Sequence, residues 1–318
     1  MKNFSSIIIG GTGQFGIHIG QLLQKKNYNV FITSRKNKKN AITKKSFKKI
    51  KLIKLDIYNK KKIKKVLTKI KPNLVFYFAG QSSPQLSFKK KNETYKSNYI
   101  GCKNILEVIK ENNIKCKFLN AASSEMYGHL NQKINLLTAK NPLSPYGYAK
   151  KKSFNLVKKY REKYKMKNYN AILFNSESFL RKKKFLIPKI CLAAIKAHKH
   201  GRKTSLNNVL VSREWNWCES QCELILKILK KEPQDFISSN GKSYSIKEML
   251  TFAFDYFKLN YEDYIIIKNT TLNQNEVKSK KSDYLKCLRR NKIKMNYKIY
   301  GKYLIIKMIK FYLNDKKF

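Results

Sequence analysis

The stretch Ser5-Ser6-Ile7-Ile8-Ile9-Gly10-Gly11-Thr12-Gly13-Gln14-Phe15-Gly16 decides the fold. Five residues of strand run into a turn of glycines. A helix over 13–26 follows, with Ile17, Leu22 and Leu23 at helical spacing. Glycines let the backbone turn sharply and approach a pyrophosphate, whose charge sits at the helix N-terminus. The flanking strand and helix separate this turn from an ordinary tight one. Outward from it, strand and helix alternate, the rhythm of a parallel sheet. Strands are expected at 30–34 and 51–55, then a basic helix over 60–71 and a turn at Pro72-Asn73. The segment 74–78 reads as a central strand, apolar on both faces. A helix over 97–112, a strand starting at 117–120, a helix over 146–164 and a strand over 170–175 complete the pattern. Beyond Ser176 the reading is mostly helical and irregular.

The 318 residues predict about two domains at roughly 150 residues each. The expected boundaries are 1–178 and 179–318, with part of 205–240 returning to the first domain. Hydrophobic residues at 42% and aromatics at 13% exclude wholesale disorder. No apolar run reaches the ~18 residues of a membrane span; the richest, over 304–313, is broken by Lys307 and Lys310. Met1-Lys2-Asn3-Phe4 leads into a strand too short for a secretory signal, so a cytoplasmic protein is expected. The six cysteines form no C-x-x-C pair, and no histidine cluster has metal spacing, so no metal is expected. Cys218 and Cys222, one helical turn apart, read as helix packing, and His198-x-His200 as a solvated helix end.

The formal charge is +51, from 70 basic and 19 acidic residues. Such an excess suits a polyanion partner. The lysines are spread along the whole chain, and abundant Lys, Asn, Ile, Tyr and Phe are what an AT-rich coding sequence writes. Compositional drift is the reading taken, with neither a specific nucleic-acid partner nor a membrane expected.

Four residues carry chemistry. Tyr146 and Lys150, in Ser144-Pro145-Tyr146-Gly147-Tyr148-Ala149-Lys150, share one helix face by their i,i+4 spacing. A nearby ammonium favours the phenolate, which can take a proton from a sugar hydroxyl as hydride leaves its carbon. Ser123, at the strand end Asn120-Ala121-Ala122-Ser123-Ser124-Glu125-Met126, can bond the reacting oxygen. Glu125 adds a carboxylate for C–H deprotonation or for protonating a leaving hydroxyl; its bland alternative is a solvated loop acid. The second strand ends in Arg35-Lys36, where an NAD enzyme places an acid on the ribose 2′-hydroxyl. The missing acid points to NADP. Asp56 either bonds adenine or caps a helix.

These motifs resemble an extended short-chain dehydrogenase/reductase, and within that group the GDP-mannose 4,6-dehydratase family. The spacing Gly10, Gly13, Gly16 is G-x-x-G-x-x-G, the variant typical of short-chain dehydrogenases. The likeness continues through Phe78-Ala79-Gly80-Gln81-Ser82, Phe174-Asn175-Ser176-Glu177-Ser178, Ser212-Arg213-Glu214-Trp215 and Glu232-Pro233-Gln234-Asp235-Phe236. It implies an α/β, Rossmann-like doubly wound parallel sheet with a smaller, mostly helical C-terminal substrate domain. It implies catalysis by Ser123, Glu125, Tyr146 and Lys150. NADP contacts would fall on Gly10, Thr12, Gly13, Gln14, Phe15, Gly16, Arg35, Lys36, Asp56 and Ile57. Phe78, Ala79, Gly80, Gln81, Ser82, Lys150, Ser176 and Arg181 complete that set. Ser82, Asn175, Lys189 and Arg213 would face the nucleotide sugar, GDP-mannose. The implied reaction oxidises C4, removes water across C5–C6 and returns the hydride to C6. A homodimer or homotetramer is implied as well.

The chain departs from the family in places. Ser176 stands where the family has His, and Leu180-Arg181-Lys182-Lys183 where it has Pro-Arg-Arg-Gly. Asn273-Gln274-Asn275-Glu276-Val277 lacks the arginine of Arg-Pro-x-Glu-Val. The family's C-terminal Trp-x-Pro is missing, and the loop after Arg35, which helps tetramers form, is shorter. Two other readings stand beside the dehydratase: a sister 4-reductase, epimerase or decarboxylase, and a non-catalytic polyanion binder.

Overall fold

A computed structural model of the chain describes residues 4–35, 50–130, 132–207, 209–268 and 277–314. Lys36 lies outside them. β1 (Ser5–Ile9), β2 (Asn29–Ser34), β3 (Lys51–Lys54), β4 (Leu74–Tyr77), β5 (Lys117–Ser123), β6 (Asn168–Leu173) and β11 (Asp235–Ser238) form one sheet. Its order is β11-β6-β5-β4-β1-β2-β3, and every adjacent pair is parallel. β1 and β4 are buried along their whole length, the signature of strands covered on both faces. Chain order runs outward in opposite directions from β1 and β4, so their carboxyl ends flank the switch point where open α/β sheets bind ligands.

The helices that cover this sheet are amphipathic. α2 (Lys60–Ile70) buries Ile63 and Leu67 and exposes most of its lysines. Each fully buried apolar side chain of this size contributes roughly 1.5–3 kcal/mol. Asn59 caps α2 by accepting from the Lys62 N–H at 2.9 Å. Asp56 is therefore not the cap; its Oδ1 accepts from the Tyr58 N–H at 3.0 Å. α5 (Gly101–Glu111) buries Cys102, Ile105, Leu106, Val108 and Ile109 in a core shared with β1, β4 and Val157 and Tyr160.

The helix expected over 97–112 starts differently. α3 (Pro84–Lys89) and α4 (Lys91–Tyr95) lead into a π-helical turn, Lys96–Ile100, before α5 begins. α6 (Pro145–Tyr164) carries Tyr146 and Lys150.

Contacts divide the chain into two units. The first comprises the described residues of Met1–Gly128, Leu136–Leu173 and Gln221–Ser238, and holds the seven-stranded sheet. The second comprises those of His129–Asn135, Phe174–Ser220 and Ser239–Phe318. Its core packs Ile187, Ile190 and Cys191 of α7 (Leu186–His200), Met249, Leu250 and Phe254 of α9 (Ile246–Asp255), and Leu304, Ile305 and Met308 of α10 (Gly301–Asn314). Three two-stranded sheets accompany these helices: β7 (Ser176–Glu177) with β10 (Asn216–Trp217), β8 (Thr204–Leu206) with β13 (Ile265–Ile267), and β9 (Ser212–Glu214) with β12 (Ser243–Ser245). The region beyond Ser176 is thus less irregular than its sequence reads. Cys218 and Cys222 are buried on α8 (Cys218–Ile228). His198 and His200 lie exposed at the end of α7, where His198 stacks on Phe257.

No described helix is long and apolar enough to cross a membrane. All six cysteines are free, and no group of three His, Cys, Asp or Glu among the described residues is arranged to hold a metal.

Candidate active site

The glycine turn is built as its sequence requires. Gly10 has φ +80°, and a Cβ there would lie 2.7 Å from Ala79 Cα. A Cβ on Gly11 would meet Ile32 at 2.5 Å, and one on Gly16 would meet Gly11 Cα at 2.5 Å. α1 (Gln14–Gln24) can therefore start directly against the end of β1, its N-terminal amides facing the switch point. Phe78 donates its N–H to Ile9 O at 2.9 Å and stacks on Phe15, so Phe78 and Ala79 line the same turn. Arg35 is exposed at the end of β2. Asp56 is exposed and Ile57 buried just beyond β3. Gly80 and Ser82 are exposed, and Phe78, Ala79 and Gln81 half-buried.

The four chemistry-bearing residues come from β5, the turn that follows it and α6, all in the first unit. Ser144 caps α6, its Oγ accepting from the Gly147 N–H at 3.1 Å, and Pro145 occupies the first turn. This start seats Tyr146 one turn before Lys150; the Lys150 Nζ lies 5.7 Å from the centre of the Tyr146 ring. Both residues are buried. The Lys150 Nζ donates to Ala121 O at 2.7 Å, which ties α6 to β5 two residues before Ser123. Burial pushes the Lys150 amine down to about 8, because desolvation disfavours the charged form.

Ser123 ends β5, and its Oγ accepts from the Glu125 N–H at 3.2 Å, holding the 3₁₀ turn Ser124–Met126. Glu125 is half-buried on that turn. Gly147 is the residue that sequence reasoning missed. A Cβ on it would lie 2.2 Å from Glu125 O, so only glycine lets α6 approach the Glu125 turn. The available signal was a helix-weakening glycine next to Tyr146, which calls for a packing reason.

The remaining predicted residues lie in the second unit. Ser176 is buried, its Oγ donating to Phe174 O at 2.9 Å. Asn175 is half-buried, and its carbonyl accepts from Asn216. The Arg181 guanidinium stacks 3.6 Å from the centre of the Phe185 ring, with its Nε 3.7 Å from the buried Glu177 carboxylate. Desolvation raises that carboxylate to about 7. Lys189 Nζ donates to Ser205 O at 2.7 Å, and Arg213 Nη1 donates to Ser212 O at 2.8 Å.

A doubly wound parallel sheet with a glycine turn after β1 defines the class: a Rossmann-like α/β fold of the short-chain dehydrogenase/reductase type. Within it, the chain belongs to the GDP-mannose 4,6 dehydratase family, whose model matches residues 7–297. It is 31% identical over 266 residues to the GDP-mannose 4,6 dehydratase of Drosophila melanogaster, covering 78% of this chain and 67% of that one. It is 30% identical over 295 residues to GDP-mannose 4,6 dehydratase 1 of Arabidopsis thaliana, covering 87% and 81%. In fold it is similar to a dTDP-glucose 4,6-dehydratase from Streptomyces venezuelae, solved with NAD bound. That likeness has a TM-score of 0.86 at 16% identity, over 99% of this chain and 98% of that one.

Proposed function

We propose that this protein is a hydro-lyase that dehydrates a nucleotide sugar, converting GDP-mannose to GDP-4-keto-6-deoxymannose with NADP as its bound cofactor. The observation that carries the reading is Glu125. It stands two residues after Ser123 on a turn against which the Tyr146/Lys150 helix packs through Gly147. Oxidation alone has no use for a carboxylate there; elimination needs one.

The residues present suit a dinucleotide. Gly10, Gly11 and Gly16 leave a cradle that Cβ atoms would fill, beside the N-terminus of α1. Gly10, Thr12, Gly13, Gln14, Phe15 and Gly16 would hold the pyrophosphate, Asp56 and Ile57 the adenine, and Arg35 a 2′-phosphate. The roles of Asn175, Ser176, Arg181, Lys189 and Arg213 rest on resemblance alone. Bound there, a dinucleotide would supply the hydride chemistry: an acceptor for the C4 hydride and its donor for C6.

The chain supplies the proton chemistry. Tyr146 takes the C4 hydroxyl proton as the hydride departs, and Ser123 bonds the C4 oxygen. Lys150, with its amine lowered only to about 8, is still mostly an ammonium at neutral pH and stabilises the phenolate. Glu125 then takes the C5 proton, acidified by the C4 ketone, and delivers a proton to the C6 hydroxyl, which leaves as water.

Purified protein given GDP-mannose deuterated at C4 should yield a product lighter by one water, with deuterium at C6. Glu125→Gln keeps the shape and removes the proton transfer. It should bind cofactor and substrate nearly normally and dehydrate at least about a hundredfold more slowly. Tyr146→Phe should abolish turnover by blocking the first oxidation. Loss of the label to solvent, or a wild-type rate in Glu125→Gln, would replace this reading with the reductase or epimerase.

A further inference from the structure

The segment that leads into α6 carries a cation that the proton chemistry leaves unused. We propose that Lys140 is a positioning residue for Glu125: its ammonium lies over the rings of Tyr127 and Phe154 and so straps the turn that carries the carboxylate to α6. This rests on the reading that Glu125 moves the protons of elimination.

Lys140, Asn141 and Pro142 run between that turn and the helix, within the first unit. The Lys140 Nζ stands 4.8 Å from the centre of the Phe154 ring and 5.5 Å from that of Tyr127. A Cβ on Gly128 would clash with Asn141 O, so the segment's backbone passes hard against the chain just after Tyr127. Pro142 Cβ lies 2.9 Å from where a Cβ on Gly147 would stand. Tyr127 and Phe154 are both buried. Tyr127 closes the Glu125 turn, its N–H donating to Ser124 O at 3.1 Å, and Phe154 sits one helical turn after Lys150 on α6. One side chain thereby spans the two pieces of backbone that carry the acid–base groups.

The faces of aromatic rings attract a cation, and more strongly where water is excluded. Lys140 is half-buried. Burial lowers its amine, the Asp235 carboxylate opposes that fall, and Lys158 and Lys151 add to it. Asp235 is itself held by Arg161 and Asn170. The near end of the Glu125 turn is tied by Ser123 Oγ, and α6 by the Ser144 cap and the Lys150 bond to Ala121 O. Withdrawing the cation therefore loosens the far end of the turn, which shifts the Glu125 carboxylate and leaves Tyr146 and Lys150 in place.

The test uses the full chain loaded with NADP and rapidly mixed with GDP-mannose. Nicotinamide absorbance rises with C4 oxidation and falls as the hydride returns after elimination. Lys140→Met keeps the reach and removes the charge. The fall should slow at least about fivefold, and the rise should stay within about twofold. Lys140→Arg, whose guanidinium also stacks on aromatic faces, should restore the fall to within about twofold of the wild type. Hydrogen exchange over residues 125–127 should quicken at least about fivefold in Lys140→Met and return in Lys140→Arg. Lys140→Gln decides the matter in the same way if Lys140→Met does not fold. The proposal is overturned if the fall and the exchange are unchanged in the neutral variant. It is equally overturned if rise and fall slow together, as a merely structural role in α6 requires, or if Lys140→Arg behaves like Lys140→Met. A wild type that never dehydrates GDP-mannose would instead sink the proposed function, and the exchange measurement then decides whether Lys140 holds the turn.

Discussion

Burial lowers the Lys150 amine from its ordinary 10.5 to about 8, inside the range where an enzyme is assayed. The folded value lies below the unfolded one, so between these two values the unfolded chain binds the proton more tightly. Burying Lys150 therefore opposes folding most below pH 8, and the penalty fades as pH rises through that window. The proposed catalysis has the opposite sign, because only an ammonium would stabilise a Tyr146 phenolate. The profile of kcat/KM should fall as pH rises through about 8. Lys150→Arg, whose guanidinium stays charged above pH ~12, should be slower but should lack that alkaline limb. An unchanged limb in this variant would remove Lys150 from the role. Arg35 makes a second residue-level prediction. With Arg35 at the end of β2 and no acid there, NADPH should bind at least about tenfold tighter than NADH, or ~1.4 kcal/mol. Arg35→Ala should narrow that gap, and equal calorimetric affinities in the wild type would refute it.

Elements meet at the site through small residues and buried polar pairs. The α6 approach to the Ser124–Met126 turn depends on Gly147, whose Cβ would also meet Pro142 Cβ at 2.9 Å. The close neighbour is backbone and cannot rotate away. Gly147→Ala should destabilise the protein by ~1–3 kcal/mol, as overpacking does. It should slow dehydration by at least about tenfold through displacement of Glu125. A wild-type melting temperature and rate would show that the approach is not constrained. Behind α6, Asn120 donates to Asn170 at 2.8 Å, Asn170 donates to Asp235 at 2.9 Å, and Arg161 donates to Asp235 at 2.8 Å. This chain joins β5, β6 and β11 to the helix that carries Tyr146. It explains how a four-residue strand, β11, holds the edge of the sheet beside β6.

Across the whole molecule, 70 basic residues face 19 acidic ones, too few to pair more than a minority of the cations. Most cations therefore stay solvated, as on α2, where Lys61, Lys62, Lys64, Lys65 and Lys69 are exposed. Exposed charges of this kind act as a diffuse field rather than a shaped surface. Duplex DNA should bind weakly and without sequence preference, losing at least about tenfold in affinity between ~50 and ~200 mM salt. Selective binding that persists at the higher salt would favour the polyanion reader over a drifted enzyme. The same field should speed capture of an anionic sugar nucleotide, and that advantage should shrink as salt rises.

Short-range chemistry is legible directly from the residues. The alternation of β1, α1, β2, β3, α2 and β4 was legible because apolar periodicity and glycine spacing are local properties. The Tyr146–Lys150 pair was legible because four residues make one helical turn. Strand β11 was not, since Asp235–Ser238 is short and becomes a strand only by pairing with β6. The π-turn was hidden because its cause, the Tyr77 hydroxyl at Ser97 O, lies 20 residues away in the chain. Asp56 was open between two local readings, and Asn59 took the cap through the next element's geometry. Long-range packing is what brings Gly147 against Glu125, buries Lys150 so that its amine is lowered, and lets Asn98 reach Gln81. Each depends on which backbone comes within a few ångströms of which, and close packing fixes that only when the sheet and its helices assemble.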